Sequence, residues 1–228
     1  MNRRRRIMSA IAAAAILGLG IGGCASPTSS PETRPTSAAP TPTPTATPQP
    51  QATSVILSAR EVSIVTQDET VIASFDYYES VVPEAVEALT DAFGTEPTIV
   101  HSEPVSSQPE ANNYEWPGFE LMEYLGVTPA FAEVNAFRVV VTAPTVGDIT
   151  VIGLGRVQAG MAESDVAPLA TEHRTDTGTG RPIEFYSFDV RPVELSYEPG
   201  YPPTIAVSAW VERGTVLRIA APAMNYGA

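Results

Sequence analysis

The sequence predicts an α+β fold: antiparallel sheets with one helix per repeat, arranged as two similar tandem β-α-β units after a signal peptide and a disordered Pro/Thr linker. Three observations carry that expectation. The texture changes abruptly near residue 54, from a proline-, threonine- and serine-rich tract to segments that alternate apolar and polar residues. Those segments keep a period of two, broken by short polar or glycine-containing turns, which is the pattern of half-buried strands. Each half also contains one stretch with helical spacing, ahead of a further set of strands. The expected organisation is a leader over residues 1–23, a tether over 24–53, a first unit over 54–143 and a second over 144–228.

The leader begins with a cationic stretch containing Arg3, Arg4, Arg5 and Arg6, and residues 7–21 are apolar or small throughout. That run is shorter than the roughly 20 residues a helix needs to span a bilayer, and its flanks fit a secretory signal. It ends on Ile21-Gly22-Gly23-Cys24. This tetrapeptide resembles the lipobox of bacterial lipoproteins: a branched apolar residue, two small residues and a cysteine. The resemblance implies that the thiol of Cys24 receives a diacylglyceryl group and that cleavage before Cys24 makes it the new N-terminus. It implies a location at the cell membrane, lipid-anchored and facing the extracytoplasmic side. Two acyl chains, at about 0.8 kcal/mol per buried methylene, hold a protein stably where one chain binds only marginally. Cys24 is the sole cysteine, so no intramolecular disulfide can form.

Residues 26–51, SPTSSPETRPTSAAPTPTPTATPQPQ, have no apolar periodicity and many prolines. Proline removes backbone donors and fixes φ, so this tract is expected to be extended and unable to form a core. At about 3.1 Å per residue it reaches on the order of 80 Å at full stretch, a spacer between anchor and domain.

Charge narrows the partners. All 13 basic residues are arginine, and removal of the four in the leader leaves 9 against 26 acids, a formal −17. Nucleic acid and anionic lipid surfaces are recognised by clustered cations, so a nucleic-acid partner is not expected.

The first unit opens with VILSAREVSIVT and TVIASFDYY, expected as a hairpin broken at Gln67-Asp68-Glu69. VPEAVEALTDAFG follows as a helix, with Pro83 in its first turn, Val86, Leu89 and Phe93 on one face and Gly94 as the stop. Glu84, Glu87 and Asp91 share the opposite face, which reads as a solvated surface. TIVHSE, YEWPGFELMEY and NAFRVVVTAP read as strands, with residues 103–113 as a polar loop.

The second unit repeats the rhythm. DITVIGLGRVQAG is strand-like, MAESDVAPLATE a short helix, and PIEFYSFDV again a strand. PTIAVSAWVERGTVLRIAAP closes the chain as two strands around Glu212-Arg213-Gly214. This order, with Gly160-Met161 ahead of Ser164-Asp165-Val166, is similar to the tandem modules of beta-lactamase inhibitory proteins and of small outer-membrane assembly lipoproteins. The first half lacks the Gly-Met start, and the disulfides of the inhibitory proteins are absent. The resemblance implies helix-on-sheet architecture and a protein-binding style, and carries over no individual binding residue.

Motifs for chemistry are sparse. His101 falls in a strand beside Ser102 and Glu103, with no glycine elbow around any serine. His173 lies in EHRTDTGTGRP, whose Asp176-Thr177-Gly178 matches an aspartic-protease triplet without the hydrophobic strand or the second triplet that chemistry requires. Asp-Thr-Gly-Thr-Gly, residues 176–180, is expected as a flexible loop. No phosphate loop or thiol pair is present, and no metal ligand set or cofactor is expected. Aromatic residues are more informative. Tyr114, Trp116 and Phe119 form one cluster, Phe185, Tyr186 and Phe188 another, and Tyr197 and Tyr201 flank Pro199-Gly200. Alternation puts Phe185 on one side of a strand and Tyr186 with Phe188 on the other. Tyr114, Trp116, Tyr186, Tyr197 and Tyr201 are the expected interaction residues.

The sequence thus points to a membrane-anchored envelope lipoprotein whose ectodomain binds an envelope protein or small ligand without catalysis. Its alternatives are a small solute-binding lipoprotein of a transporter and a hydrolase using His101 or His173.

Overall fold

The structure, a computed structural model, describes residues 50–105, 109–125, 135–178, 182–192 and 204–225. The leader, Cys24, nearly all of the tether, Tyr197 and Tyr201 lie outside the described residues.

Residues just ahead of 54 already join the fold. The Thr53 amide donates to the Val65 carbonyl at 2.9 Å, and Ala52 packs against the core. Strands β1 (Ser54–Leu57), β2 (Glu61–Val65) and β3 (Val71–Asp76) follow. VILSAREVSIVT is therefore two strands and not one. The reason is Ser58, whose Oγ accepts from the amides of Arg60 at 3.1 Å and Glu61 at 2.9 Å. A hydroxyl that gathers backbone donors in this way competes with the ladder and turns the chain.

Helix α1 (Val82–Phe93) starts with proline in its first turn and ends at Gly94, whose φ of 67° and amide bond to the Thr90 carbonyl make a left-handed cap. Val82, Ala85, Leu89 and Phe93 are its buried face. A four-strand meander follows: β4 (Thr98–Ser102), β5 (Glu110–Trp116), β6 (Phe119–Leu125) and β7 (Phe137–Val141). Residues 110–113 belong to β5, which corrects the loop expected there. Their polar side chains are used across the sheet: Asn113 Nδ2 donates to Ser102 Oγ at 2.9 Å and Asn112 Nδ2 to Glu123 Oε2 at 3.1 Å.

The second half has the hairpin β8 (Thr145–Val146) and β9 (Ile149–Gly153), then α2 (Glu163–Val166), which passes directly into a 3₁₀ turn (Ala167–Leu169). Pro168 explains the brevity, since proline inside a helix removes a donor and clashes with the preceding turn. A second meander closes the domain: β10 (Glu172–Asp176), β11 (Ile183–Pro192), β12 (Thr204–Glu212) and β13 (Thr215–Asn225). Residues 172–176 form β10 in full register with β11, a strand the sequence reading does not contain.

Two sheets result. The smaller runs β3-β2-β1-β9-β8 and the larger β10-β11-β12-β13-β7-β6-β5-β4. Among the described residues the β1–β9 pairing is parallel and every other pairing is antiparallel. The fold is thus α+β, dominated by antiparallel sheet with two short helices. Pairing also crosses residue 143/144: β1 with β9, and β7 with β13 through Val139↔Ala221 and Val141↔Ile219. The halves are not two separately closed sheets. One buried cluster includes Leu57 and Val151 of the small sheet, Leu89 of α1, Val166 of α2, and Leu121, Phe137, Phe188 and Ile219 of the large sheet. Burial of each large apolar side chain contributes about 1.5–3 kcal/mol before conformational entropy is subtracted.

Candidate functional site

The large sheet has one face on the core and one facing away. On β11, Tyr186 and Phe188 belong to the core cluster, so Phe185 projects from the opposite face. Register then aligns a row across four strands: Arg174↔Phe185, Phe185↔Trp210 and Trp210↔Arg218. The Arg174 guanidinium carbon lies 4.9 Å from the Phe185 ring centre, and Arg218 lies 3.0 Å over Trp210. The Phe185 and Trp210 rings meet edge-on, with centroids 4.9 Å apart at 65°. Each such cation–ring contact contributes about 0.5–2 kcal/mol depending on exposure, and the ring pair about 0.5–1.5 kcal/mol.

A register shift in the β12–β13 pairing follows this row. Trp210 is opposite Arg218 while Val211 is opposite Val216, so Leu217 is an extra residue on β13. A bulge of this kind re-aims side chains. Leu217, 49% exposed, and Arg218 both line an open cleft of about 350 Å³ with Thr142, Ile183, Trp210, Val211 and Glu212. The lining is mostly apolar and carries a guanidinium at one wall.

Further along the same face lie Arg138 and Glu120. Burial, and then the neighbouring charge of Arg138, lower the Arg218 pKa, while Glu120 opposes the shift. Burial and Glu115 raise the Glu120 pKa against the two arginines. Among the described residues neither Arg138 nor Arg218 has a carboxylate at ion-pair distance, and the Arg138 Nε is buried without a hydrogen-bond partner. The two arginines thus sit with Glu120 as partly desolvated charges that influence one another without forming an ion pair.

Three of the aromatic residues singled out from the sequence, Trp116, Tyr186 and Tyr114, lie elsewhere. Trp116, 4% exposed, donates from Nε1 to the Thr95 carbonyl at 2.9 Å and packs edge-on against Phe93 and Phe119. Tyr186, 6% exposed, donates its hydroxyl to Glu163 Oε1 at 2.6 Å. That bond, with burial and the charges of Glu163 and Glu184, pushes the Tyr186 pKa up to about 12. Both rings face the core, a correction to their expected role in recognition. Their strand phases match Phe119 and Phe188, which face the core cluster as well. Tyr114 is half-buried, and its hydroxyl donates to Glu123 Oε2 at 3.1 Å. Trp210 was missed, although on β12 it shares the phase of Ser208 and Glu212, a signal for the outward face.

The histidines sit on the two outermost strands of the large sheet. His101 Nδ1 is 3.1 Å from Asn112 Oδ1, and its Nε2 is 3.4 Å from Glu110 and 3.7 Å from Glu103. His173 stacks on Tyr186 at 4.6 Å, with Nε2 2.7 Å from Glu184 Oε2, which also accepts from Thr175 Oγ1 at 2.6 Å. Those two bonds lower the Glu184 pKa, Thr175 contributing most. Among the described residues neither ring has a serine, threonine or cysteine as hydrogen-bond partner, and no three His, Cys, Asp or Glu side chains are placed to hold a metal ion.

No family model matches this chain, and neither a curated protein nor a solved structure resembles it at a significant level.

Proposed function

We propose that the chain is a membrane-anchored envelope lipoprotein whose ectodomain binds a protein or small ligand through the outward face of its large sheet, without catalysis of its own. One observation carries the binding half of this reading: the cleft beside Trp210, with exposed Leu217 as its apolar wall and Arg218 as a cation lacking an ion-pair partner among the described residues. Apolar concavities with a few fixed polar groups are where ligands and partner side chains dock. The anchoring half rests on Ile21-Gly22-Gly23-Cys24 and the proline-rich spacer behind it.

The tandem reading belongs to the same proposal. The first half runs three strands, a helix and a four-strand meander, the second a two-strand hairpin, a helix and a four-strand meander, and each meander opens on a strand bearing one histidine, His101 or His173. We take 54–143 and 144–228 as diverged copies joined edge to edge at β7 and β13. A transporter solute-binding protein has less support, because the described residues share one core in place of two lobes around a closed pocket.

The anchor is tested by mass spectrometry of the native N-terminus, where a diacylated Cys24 is expected and a lipid-free terminus or another start residue rejects it. The binding face is tested by placing a photo-crosslinking residue at Leu217, and separately at exposed Glu87 on α1, in intact cells. A discrete adduct from Leu217 alone supports the proposal, and equal labelling from both positions removes it.

A further inference from the structure

The large sheet has two edges, and they are built differently. The β10 edge, Glu172–Asp176, reads Glu-His-Arg-Thr-Asp and is exposed throughout. Charges of that kind keep a strand from pairing with another chain. The β4 edge, Thr98–Ser102, reads Thr-Ile-Val-His-Ser and holds no carboxylate, arginine or proline. Its Ile99 is 63% exposed and its Val100 40%, on opposite faces of the strand. Among the described residues β4 pairs only with β5, so its other side offers unpaired backbone donors and acceptors.

Carboxylates stand at both ends of this edge. Glu96-Pro97 precede β4 and Glu103-Pro104 follow it, while Glu110 and Glu115 lie on neighbouring β5, Glu115 opposite Thr98. These charges decide between occupants. Antiparallel pairing of β4 with a second copy, centred on Val100, sets Thr98 against the other copy's Ser102. It then draws Glu103 of each copy towards Glu96 of the other, and like charges across strands oppose pairing. A strand with basic residues at its two ends and β-branched residues between meets the same edge with opposite charge.

We propose that β4 accepts, by strand addition, an extended protein segment of about five residues with a β-branched centre and basic flanks. Main-chain hydrogen bonds supply the affinity and alternate side chains beside Ile99 and Val100 supply the choice of sequence. This site is separate from the Trp210 cleft and does not depend on it.

The test uses full-length protein in detergent and the fluorescent capped peptide Arg-Thr-Val-Thr-Val-Thr-Arg. Anisotropy is expected to report saturable binding that weakens roughly tenfold between about 50 and 300 mM NaCl, since exposed charges are screened over that range. His101→Pro and Ile99→Lys are each expected to weaken binding at least about tenfold, by removing an edge donor or adding repulsion, while Thr175→Pro on the opposite edge leaves it unchanged. Hydrogen exchange should show slowed β4 amides in the complex, a readout that a variant failing to fold cannot imitate. Equal binding of the peptide with glutamate in place of arginine, equal loss in Thr175→Pro, or micromolar self-association through β4 in light scattering overturns the proposal.

Discussion

The two halves of the domain each place a helix directly ahead of a four-strand meander and hold it by different means. Helix α1 runs through twelve residues and buries Val82, Ala85, Leu89 and Phe93. Helix α2 has four residues and buries Val166. What α2 lacks in apolar area, its approach supplies in hydrogen bonds to the β12–β13 hairpin. Gly160 donates to the Val216 carbonyl at 2.8 Å, Val216 to Met161 at 2.9 Å and Glu163 to Gly214 at 2.9 Å. The Tyr186 hydroxyl ties Glu163 from the sheet side. One rhythm therefore has two adhesives, hydrophobic in the first half and polar in the second. The change traces to Pro168, which ends the second helix before it can present a long apolar face.

If that contrast is right, core truncation divides the halves. Leu89→Ala is expected to cost about 2–5 kcal/mol, because a fully buried leucine leaves a cavity in the common core. Val166→Ala removes two methyl groups from the short helix and is expected to cost about 1–2 kcal/mol. Urea midpoints of the two variants measure the difference, and equal losses would mean that both helices are held alike.

The hairpin turns give a second comparison. Gly118, between β5 and β6, has φ of 83°, and a Cβ there would fall 2.3 Å from the Ala143 Cβ. Gly214, between β12 and β13, has φ of 78° with nothing within 4 Å of the same position. Gly118→Ala combines backbone strain with overpacking and is expected to cost about 2–4 kcal/mol. Gly214→Ala carries the backbone term alone, about 1–2 kcal/mol. Thermal or urea unfolding of the pair separates close approach from φ.

The polar adhesive of the second half should fail in alkali. The Tyr186 pKa is raised from 10.0 to about 12, so the folded state holds this proton more tightly than the unfolded chain. Its contribution is therefore fully present below about pH 10 and is lost as pH rises through about 12. Tyr186→Phe is expected to be less stable than the parent by about 1 kcal/mol near neutrality, the ordinary net value of one buried hydrogen bond. The gap should close as pH climbs above 10. A gap that stays constant with pH would show that Glu163 does not depend on the phenol.

These contrasts were unevenly legible in the sequence. Helix α1 announces itself through Pro83, the spacing of Leu89 and Phe93, and Gly94, all local signals. The final hairpin was equally plain, since Arg213 and Gly214, with φ of 55° and 78°, supply the left-handed pair a tight turn needs. The β10 strand was invisible because its exposed residues have no apolar phase to read, and its existence depends on pairing with β11. The candidate site was hidden for a related reason. Arg174, Phe185, Trp210 and Arg218 lie far apart in sequence and become one row only when four strands acquire register. Composition marked aromatic residues as interesting, but alternation was needed to tell Trp116 in the core from Trp210 outside it.

The smallest predicted effect concerns a tyrosine of the first half. Tyr77 follows β3, is fully buried and packs edge-on against Phe137 at 5.2 Å. Its amide donates to Arg60 at 3.0 Å, and its carbonyl accepts from Ala136 at 2.7 Å, so the backbone is satisfied. The hydroxyl is not: it is buried with no hydrogen-bond partner among the described residues, and burial raises its pKa well above the usual range. A buried donor without an acceptor costs about 1–3 kcal/mol of desolvation, which deleting the oxygen restores in part. Tyr77→Phe is accordingly expected to leave stability unchanged or raise it by up to about 1 kcal/mol, unlike Tyr186→Phe, where the lost oxygen has a partner. A loss of stability in Tyr77→Phe comparable to that of Tyr186→Phe would place an acceptor beside the hydroxyl, and polar tethering would then extend into the half assigned here to apolar packing.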